Sequence, residues 1–558
     1  MNWKKVQLIA GSVYFSVAGL FASGNEKGIE YYRAELYDAA KIYLGNQIKQ
    51  IQGTDLAEAY YYIGECYAAT EKLDSAAYFF QKAIKTNPEY PYSYIGEGKL
   101  ALKKSNANAA NDLFKKAIGF AKKNPAVHTA IAEAYIDVKQ YDKAEDILDK
   151  ARSVNKNFSG IYVAEGDMLM SQEKTGDACA RYEMAMRFNP NDKIAYLKEA
   201  RVYKSINPNR ALEILDQLLA IDIEYIPAYA ELGDTYYKKN HYTKAIEAYN
   251  KFIEIPGVPV QQLINYASLL YFTKEYEKSL VEISKVLAKD PHNLVMRRLQ
   301  FYNNYELEKY SLGLQQAEKF FQKAAQEDVI AQDYIYYGRL LDKNKNTKAA
   351  IEAFYQALSI DETKTEIYKD LAVAYERGDD YSNAISYYKK FMENDKNDVL
   401  LDVFNFGRTC YTAGNQEIAN IKTKKPDEIA AANAILKSYL LLADSLFAQV
   451  IERSPESYLG YFWRARANAT LLDPEVTLGL AKPYYEQAAS ILVAAPDGAT
   501  KNRNLIVECY RYLGYYHYVQ KDYCTSKSYF QKILELEPEN AIAKQLLSDD
   551  AIKRMRCN

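Results

Sequence analysis

Tryptophan is nearly missing from this 558-residue chain: there are 2, and Trp3 lies among the first residues. Histidine is almost as scarce, with 4 in all (His128, His241, His292, His517), far apart along the sequence. No glycine-rich phosphate loop, no GxSxG and no HExxH occurs, which excludes the phosphate-binding, nucleophilic and zinc chemistries those motifs carry. The six cysteines, Cys66, Cys179, Cys410, Cys509, Cys524 and Cys557, form no CxxC pair and no Cys/His metal pattern. Glycine (24) and proline (15) are too sparse for a long disordered chain. A formal net charge of -2 leaves no footprint for nucleic acid. These absences predict no enzyme, no metal and no cofactor.

What is present is ordinary soluble composition, 49% hydrophobic and 26% charged, with one excess. There are 53 Tyr against 20 Phe. Tyrosine packs as an aromatic while its hydroxyl seeks a hydrogen-bond partner, so it suits surfaces half buried and half wet. Packing in a helix lattice explains the excess first, and a groove for peptides second.

The amino-terminal segment has its own pattern. Lys4 and Lys5 precede Val6 to Ala22, which holds no charged residue, and Ala22-Ser23-Gly24 follows as a run of small residues. Basic, apolar and small stretches in that order predict a signal peptide over 1–24. An uncleaved anchor is the alternative, but a run of 17 uncharged residues is short for a bilayer span. No cysteine lies nearby to carry a lipid. Export would permit disulfides. A bond among Cys509, Cys524 and Cys557 is one option, and six buried, small apolar cysteines are the preferred expectation.

Self-similarity dominates the rest. Small residues recur every 34 positions at Gly64, Gly98, Ala132, Gly166 and Ala200, continue through Gly233 and Ala267, and return at Gly338, Ala372, Gly407, Ala465 and Gly514. A second small site (Ala76, Ala110, Ala144, Ala178) is followed four residues later by a large one (Phe80, Phe114, Leu148, Tyr182), and prolines such as Pro88 and Pro190 close units. Spacings of three, four and seven place residues on one helical face. Small residues let two axes approach while large ones fill the grooves beside them.

The small site in one helix, the small–large–small triplet in the next and the closing proline resemble the tetratricopeptide repeat (TPR). The resemblance implies an all-α, right-handed superhelical solenoid of 13–14 helix pairs after the signal segment. The phase sets pairs near 25–55, 57–90, 91–124, 125–158, 159–192, 193–225, 226–259 and 260–293. A degenerate pair at 294–329 follows, with Phe301 at the small site. Pairs resume at 331–364, 365–398, 400–457 (with an insertion at 415–438), 458–500 and 506–540, and 541–558 reads as a capping helix. The Ala430–Ala434 stretch of the insertion favours helix, and the segment is either a docking site or a tolerated surface loop.

In this family the first helix of each pair lines a groove, and a groove position lies one residue past the small site. Those positions read Glu65, Lys99, Glu133, Asp167, Arg201, Asp234 and Ser268 in a mostly acidic first half, then Arg339, Val373, Arg408, Arg466 and Tyr515 in a mostly basic second half, with Arg511 four residues before Tyr515. Phe404 and Phe462 add aromatic surface. The resemblance therefore implies a partner-binding set of Arg339, Arg408, Arg466, Arg511, Tyr515, Phe404 and Phe462, receiving a protein or peptide with carboxylates through arginine forks. Asparagines of the carboxylate-clamp type do not recur there. An exported, non-lipidated periplasmic scaffold for envelope assembly or secretion is the expectation, touching membrane only through an uncleaved amino-terminal segment. A glycan-binding protein on the same framework is the alternative.

Overall fold

The computed structural model describes residues 24–394, 399–555 and 557. The segment read as a signal peptide lies, but for Gly24, outside the described residues. Helices make up the regular structure, with no strand among the described residues. The chain divides into two units, one ending at Leu307 and one starting at Glu308.

The first unit opens with α1 (Glu26–Arg33) and α2 (Tyr37–Gln47), then α3 (Gly53–Ala69) and α4 (Leu73–Thr86). Next come α5 (Pro91–Lys103) with α6 (Ala107–Phe120), α7 (Pro125–Asp137) with α8 (Tyr141–Val154), and α9 (Ser159–Ser171) with α10 (Thr175–Phe188). The array continues as α11 (Lys193–Ile206) with α12 (Pro208–Ile221), α13 (Ile226–Lys238) with α14 (Tyr242–Phe252), and α15 (Val260–Phe272) with α16 (Tyr276–Lys289), and α17 (Leu294–Glu306) ends the unit.

Local chemistry sets these boundaries. Pro91, Pro125 and Pro208 stand in first turns, where the missing N–H costs nothing. Asn106, Asn124 and Asn207 accept a backbone N–H of the helix they precede, filling a donor that would otherwise be orphaned. Within each pair the turn repeats one geometry. Glu71, Ser105, Lys139 and Glu173 take positive φ. The next residue then reaches back, as Lys72 N does to the Tyr67 carbonyl (2.9 Å) and Asn106 N to that of Ala101 (2.8 Å). This left-handed stop ends the first helix and launches the second.

Phe80 shows how the small sites work. It is fully buried, and a Cβ added at Gly64 or at Gly96 would lie 2.5 Å from its ring. One ring thus wedges against its own first helix and that of the next pair. Gly338 and Phe354 repeat the contact in the second unit.

The first pair also reaches far along the chain. Lys193 pairs with Glu30 and with Asp222. Arg201 donates to the Ala34 carbonyl at 2.8 Å and lies 3.4 Å from Glu35. Gly257, with φ +75°, approaches so closely that a Cβ would sit 2.7 Å from the backbone of Asp38 and Ala39. The first unit therefore closes on itself.

The second unit runs α18 (Tyr310–Phe321), α19 (Ala331–Lys343) with α20 (Thr347–Ile360), and α21 (Ile367–Arg377) with α22 (Tyr381–Asn394). Then come α23 (Leu400–Ile421) with α24 (Pro426–Arg453) and α25 (Tyr458–Ala467) with α26 (Lys482–Ala494). α27 (Gly498–Lys501), α28 (Arg503–Val519) with α29 (Tyr523–Leu536), α30 (Ala541–Ser548) and α31 (Asp550–Lys553) complete it.

Three sequence expectations change here. The insertion at 415–438 is not a loop: it lengthens α23 to 22 residues and α24 to 28. The two stay packed along the extension, where a Cβ at Gly414 would meet Leu440 at 2.9 Å. Nor are all six cysteines free. Cys524 and Cys557 are disulfide-bonded, with Cα atoms 5.4 Å apart, because the end of the chain folds back and seats Ile552 against the helix that carries Cys524. Cys66, Cys179, Cys410 and Cys509 are free and buried. The closing segment is two short helices broken at Asp549, not one.

Candidate partner-binding surface

On the first unit, the groove row is occupied by its own charges. Lys99 bridges Glu65 (2.8 Å) and Asp137 (2.6 Å), and Lys198 meets Asp167 at 2.8 Å. Lys204 lies 2.7 Å from Glu231 and 3.2 Å from Asp234. The acidic character read from the sequence is therefore largely neutralised by lysines on neighbouring first helices. Glu133 is the outlier. Crowding by the surrounding first helices, and then the charge of Asp167, push its carboxyl up against the pull of Arg33 and Lys99, although its side chain reaches solvent.

On the second unit, α23 and α25 build an aromatic and cationic patch around Trp463. Tyr411 meets it edge-on with centroids 5.5 Å apart, and Phe404 does the same at 6.3 Å. The Arg408 guanidinium lies 5.3 Å from the Trp463 ring and that of Arg466 4.9 Å, both within cation–π range. Arg466 also grips Glu508 on α28 through two bonds of 2.7 and 2.6 Å. The Tyr485 hydroxyl donates to the same carboxylate at 3.2 Å. Burial beside Glu508 pushes the Tyr485 phenol well up, so it remains a donor.

A cavity of about 350 Å³ continues from there, lined by Glu508, Arg511, Tyr512, Tyr515, Ile542 and Leu546 among others. Its far wall comes from α30, the segment fastened by the Cys524–Cys557 bond. Tyr515 is 43% exposed. Arg408 and Arg511 are exposed too, and among the described residues neither has a carboxylate within ion-pair distance.

The predicted residues thus separate. Phe404, Arg408, Phe462 and Arg466 gather at Trp463, and Arg511 and Tyr515 share the cavity. Phe462 is only 2% exposed and lies beneath the Arg466 guanidinium at 4.5 Å. Arg339 stands apart on α19, held by Asp370 through contacts of 3.0 and 2.7 Å. Trp463 itself, two residues before the small site Ala465, escapes a spacing rule that reads one residue past it. Its rarity was the only sequence signal.

Models of the tetratricopeptide repeat match residues 57–90, 101–162, 226–257, 334–364 and 370–398. A TPR repeat-containing protein of Methanocaldococcus jannaschii is 24% identical over 65% of this chain and 62% of its own length. DnaJ homolog subfamily C member 3 of Gallus gallus is 22% identical over 48% of this chain and 59% of its own. The chain thus spans about three fifths of the length of these curated relatives. Among solved structures, the C-terminal part of a TPR repeat-containing protein from Cytophaga hutchinsonii aligns with 51% of this chain and 100% of its own, at 27% identity and a TM-score of 0.40.

Proposed function

We propose that this chain, a tetratricopeptide-repeat protein, is a scaffold that holds a protein or peptide partner on the first-helix face of its second unit. One contrast carries the reading. Arg339, Arg464 and Arg466 spend their forks on Asp370, Asp444 and Glu508, while Arg408 and Arg511 point open charge at a surface of exposed tyrosine and tryptophan edge. Aromatic and arginine anchors of this kind supply most of the affinity at protein interfaces. A segment bearing carboxylates beside apolar side chains matches both the guanidinium groups and the Tyr515–Ile542 cavity.

The scaffold works outside the cytoplasm, serving envelope assembly or secretion. The order of residues across 1–24 supports this, and so does the Cys524–Cys557 disulfide, since such bonds persist in oxidising compartments. Proximity labelling from the mature chain in its own cell would identify the partner. Calorimetric titration of that partner should then show at least a tenfold loss for the double change Arg408→Glu and Arg511→Glu, about 1.4 kcal/mol or more. Unchanged affinity would remove this surface from consideration.

A further inference from the structure

We infer that α24 is a dimerisation helix: its solvent face pairs antiparallel with α24 of a second copy of this chain, across a two-fold axis at Ser438. α24 has 28 residues where the second helices α20, α22 and α29 have 14 each. One face of it, with Leu436, Leu440 and Ala443, is buried in a core shared with Val403, Phe406 and Cys410 of α23. The opposite face is open, with Ile435 46% and Leu441 47% exposed.

The order of residues on the open face points to its occupant. Ala431, Ser438 and Ser445 are exposed and stand seven apart, close to two full turns, so they fall on one line along the helix. A line of small residues lets two helix axes approach to about 8 Å. Counted outward from Ser438, the face has the same spacing in both directions. A large residue stands at three (Ile435, Leu441) and a small one at seven (Ala431, Ser445), while the positions at four are complementary, small Ala434 against large Leu442. An antiparallel copy centred on Ser438 therefore sets Ile435 against Leu441 of the partner subunit, and Leu442 into the space left by Ala434 of the partner subunit. The surface matches itself, which is the condition for a closed two-fold interface. Ser438 lies within two residues of the midpoint of α24, so the paired helices overlap almost end to end. Its hydroxyl donates to the Ile435 carbonyl of its own helix at 2.7 Å, so burial at the axis orphans no donor. Lys437 and Asp444 each lie one residue, about 100°, round from the small line, and Asp444 is already engaged by Arg464 at 2.8 Å. By length and composition α24 also matches a bilayer span. Lipid, however, has no use for an aligned row of alanine and serine, and the other face is covered by protein.

Sedimentation velocity on the full chain at micromolar concentration should show a dimer. Ile435→Lys/Leu441→Lys should weaken association at least a hundredfold and keep the helix content, since both side chains face solvent. Disulfide capture reads the register, because a sulfur bridge needs Cα atoms within about 7 Å and the free cysteines of the chain are buried. Under mild oxidation Ser438→Cys should cross-link to itself. Ser445→Cys should not, yet should cross-link when mixed with Ala431→Cys. A monomer throughout, an undiminished dimer in the double-lysine variant, no cross-link at Ser438→Cys, or a monomer that floats with vesicles of phosphatidylethanolamine and phosphatidylglycerol would each overturn the proposal.

Discussion

Phe80→Ala is expected to cost the first unit about 3–5 kcal/mol, the range for removing a large ring from a packed core. The ring has no exposed surface and touches the only spaces left by two glycines 32 positions apart, Gly64 and Gly96. Its loss opens a hole between α3, α4 and α5 that neither glycine can fill. Neighbouring pairs share that interface, so the damage spreads beyond one repeat. Tyr78, two residues earlier on the same helix but 56% exposed, is the control, and Tyr78→Ala should stay within about 0.5 kcal/mol. Denaturant titration followed by circular dichroism gives both numbers. A cost below about 1 kcal/mol for Phe80→Ala would show that the ring is not a wedge.

The second large effect concerns pH. Glu199 on α11 is fully buried, and neither carboxylate oxygen meets a donor in the protein. Burial first, and the charge of Glu183 second, raise its carboxyl from the usual 4.5 to about 7, with Arg210 opposing. The folded state therefore keeps a proton that the unfolded chain has released. Stability contributed by that proton is present below about pH 4.5 and is lost as pH rises through about 7. The rise corresponds to about 3 kcal/mol. Glu199→Gln should remove this part of the decline, leaving the variant more stable than the wild type above pH 7. Titrations at pH 4.5 and pH 8 decide it, since parallel declines in the two proteins would rule out Glu199 as the source. Glu133 tilts the wild-type curve the same way, but it is common to both proteins and cancels in the comparison.

The repeating part of the fold was legible because one physical requirement recurs. Where a ring such as Phe80 or Phe354 enters, the facing position holds a glycine, elsewhere at most an alanine, and the 34-residue spacing of Gly64, Gly98 and their successors records that need. Features made by distant pairs left no such trace. Glu30 and Lys193 follow no shared period, and Cys524 meets Cys557 only because the chain end turns back. The alanines at 430–434 hinted at helix in the insertion, yet the packing of Gly414 on Leu440 that extends both helices joins two segments on either side of a turn. For the proposed binding surface, reading each first helix singly picked out Arg339, Arg408, Arg466 and Arg511 alike. It could not show that Asp370 and Glu508, on the following first helices, had already engaged Arg339 and Arg466.

Linear arrays ordinarily unravel from their extremities, where a terminal repeat has a neighbour on one side only. Here neither described extremity is loose. Covalent sulfur secures one, and salt links from Glu30 and Glu35 tie down the other. Reductant should release the carboxyl end alone, and concentrated salt the amino end alone, so a protease that needs unwound backbone would begin at opposite ends of the chain in the two solutions.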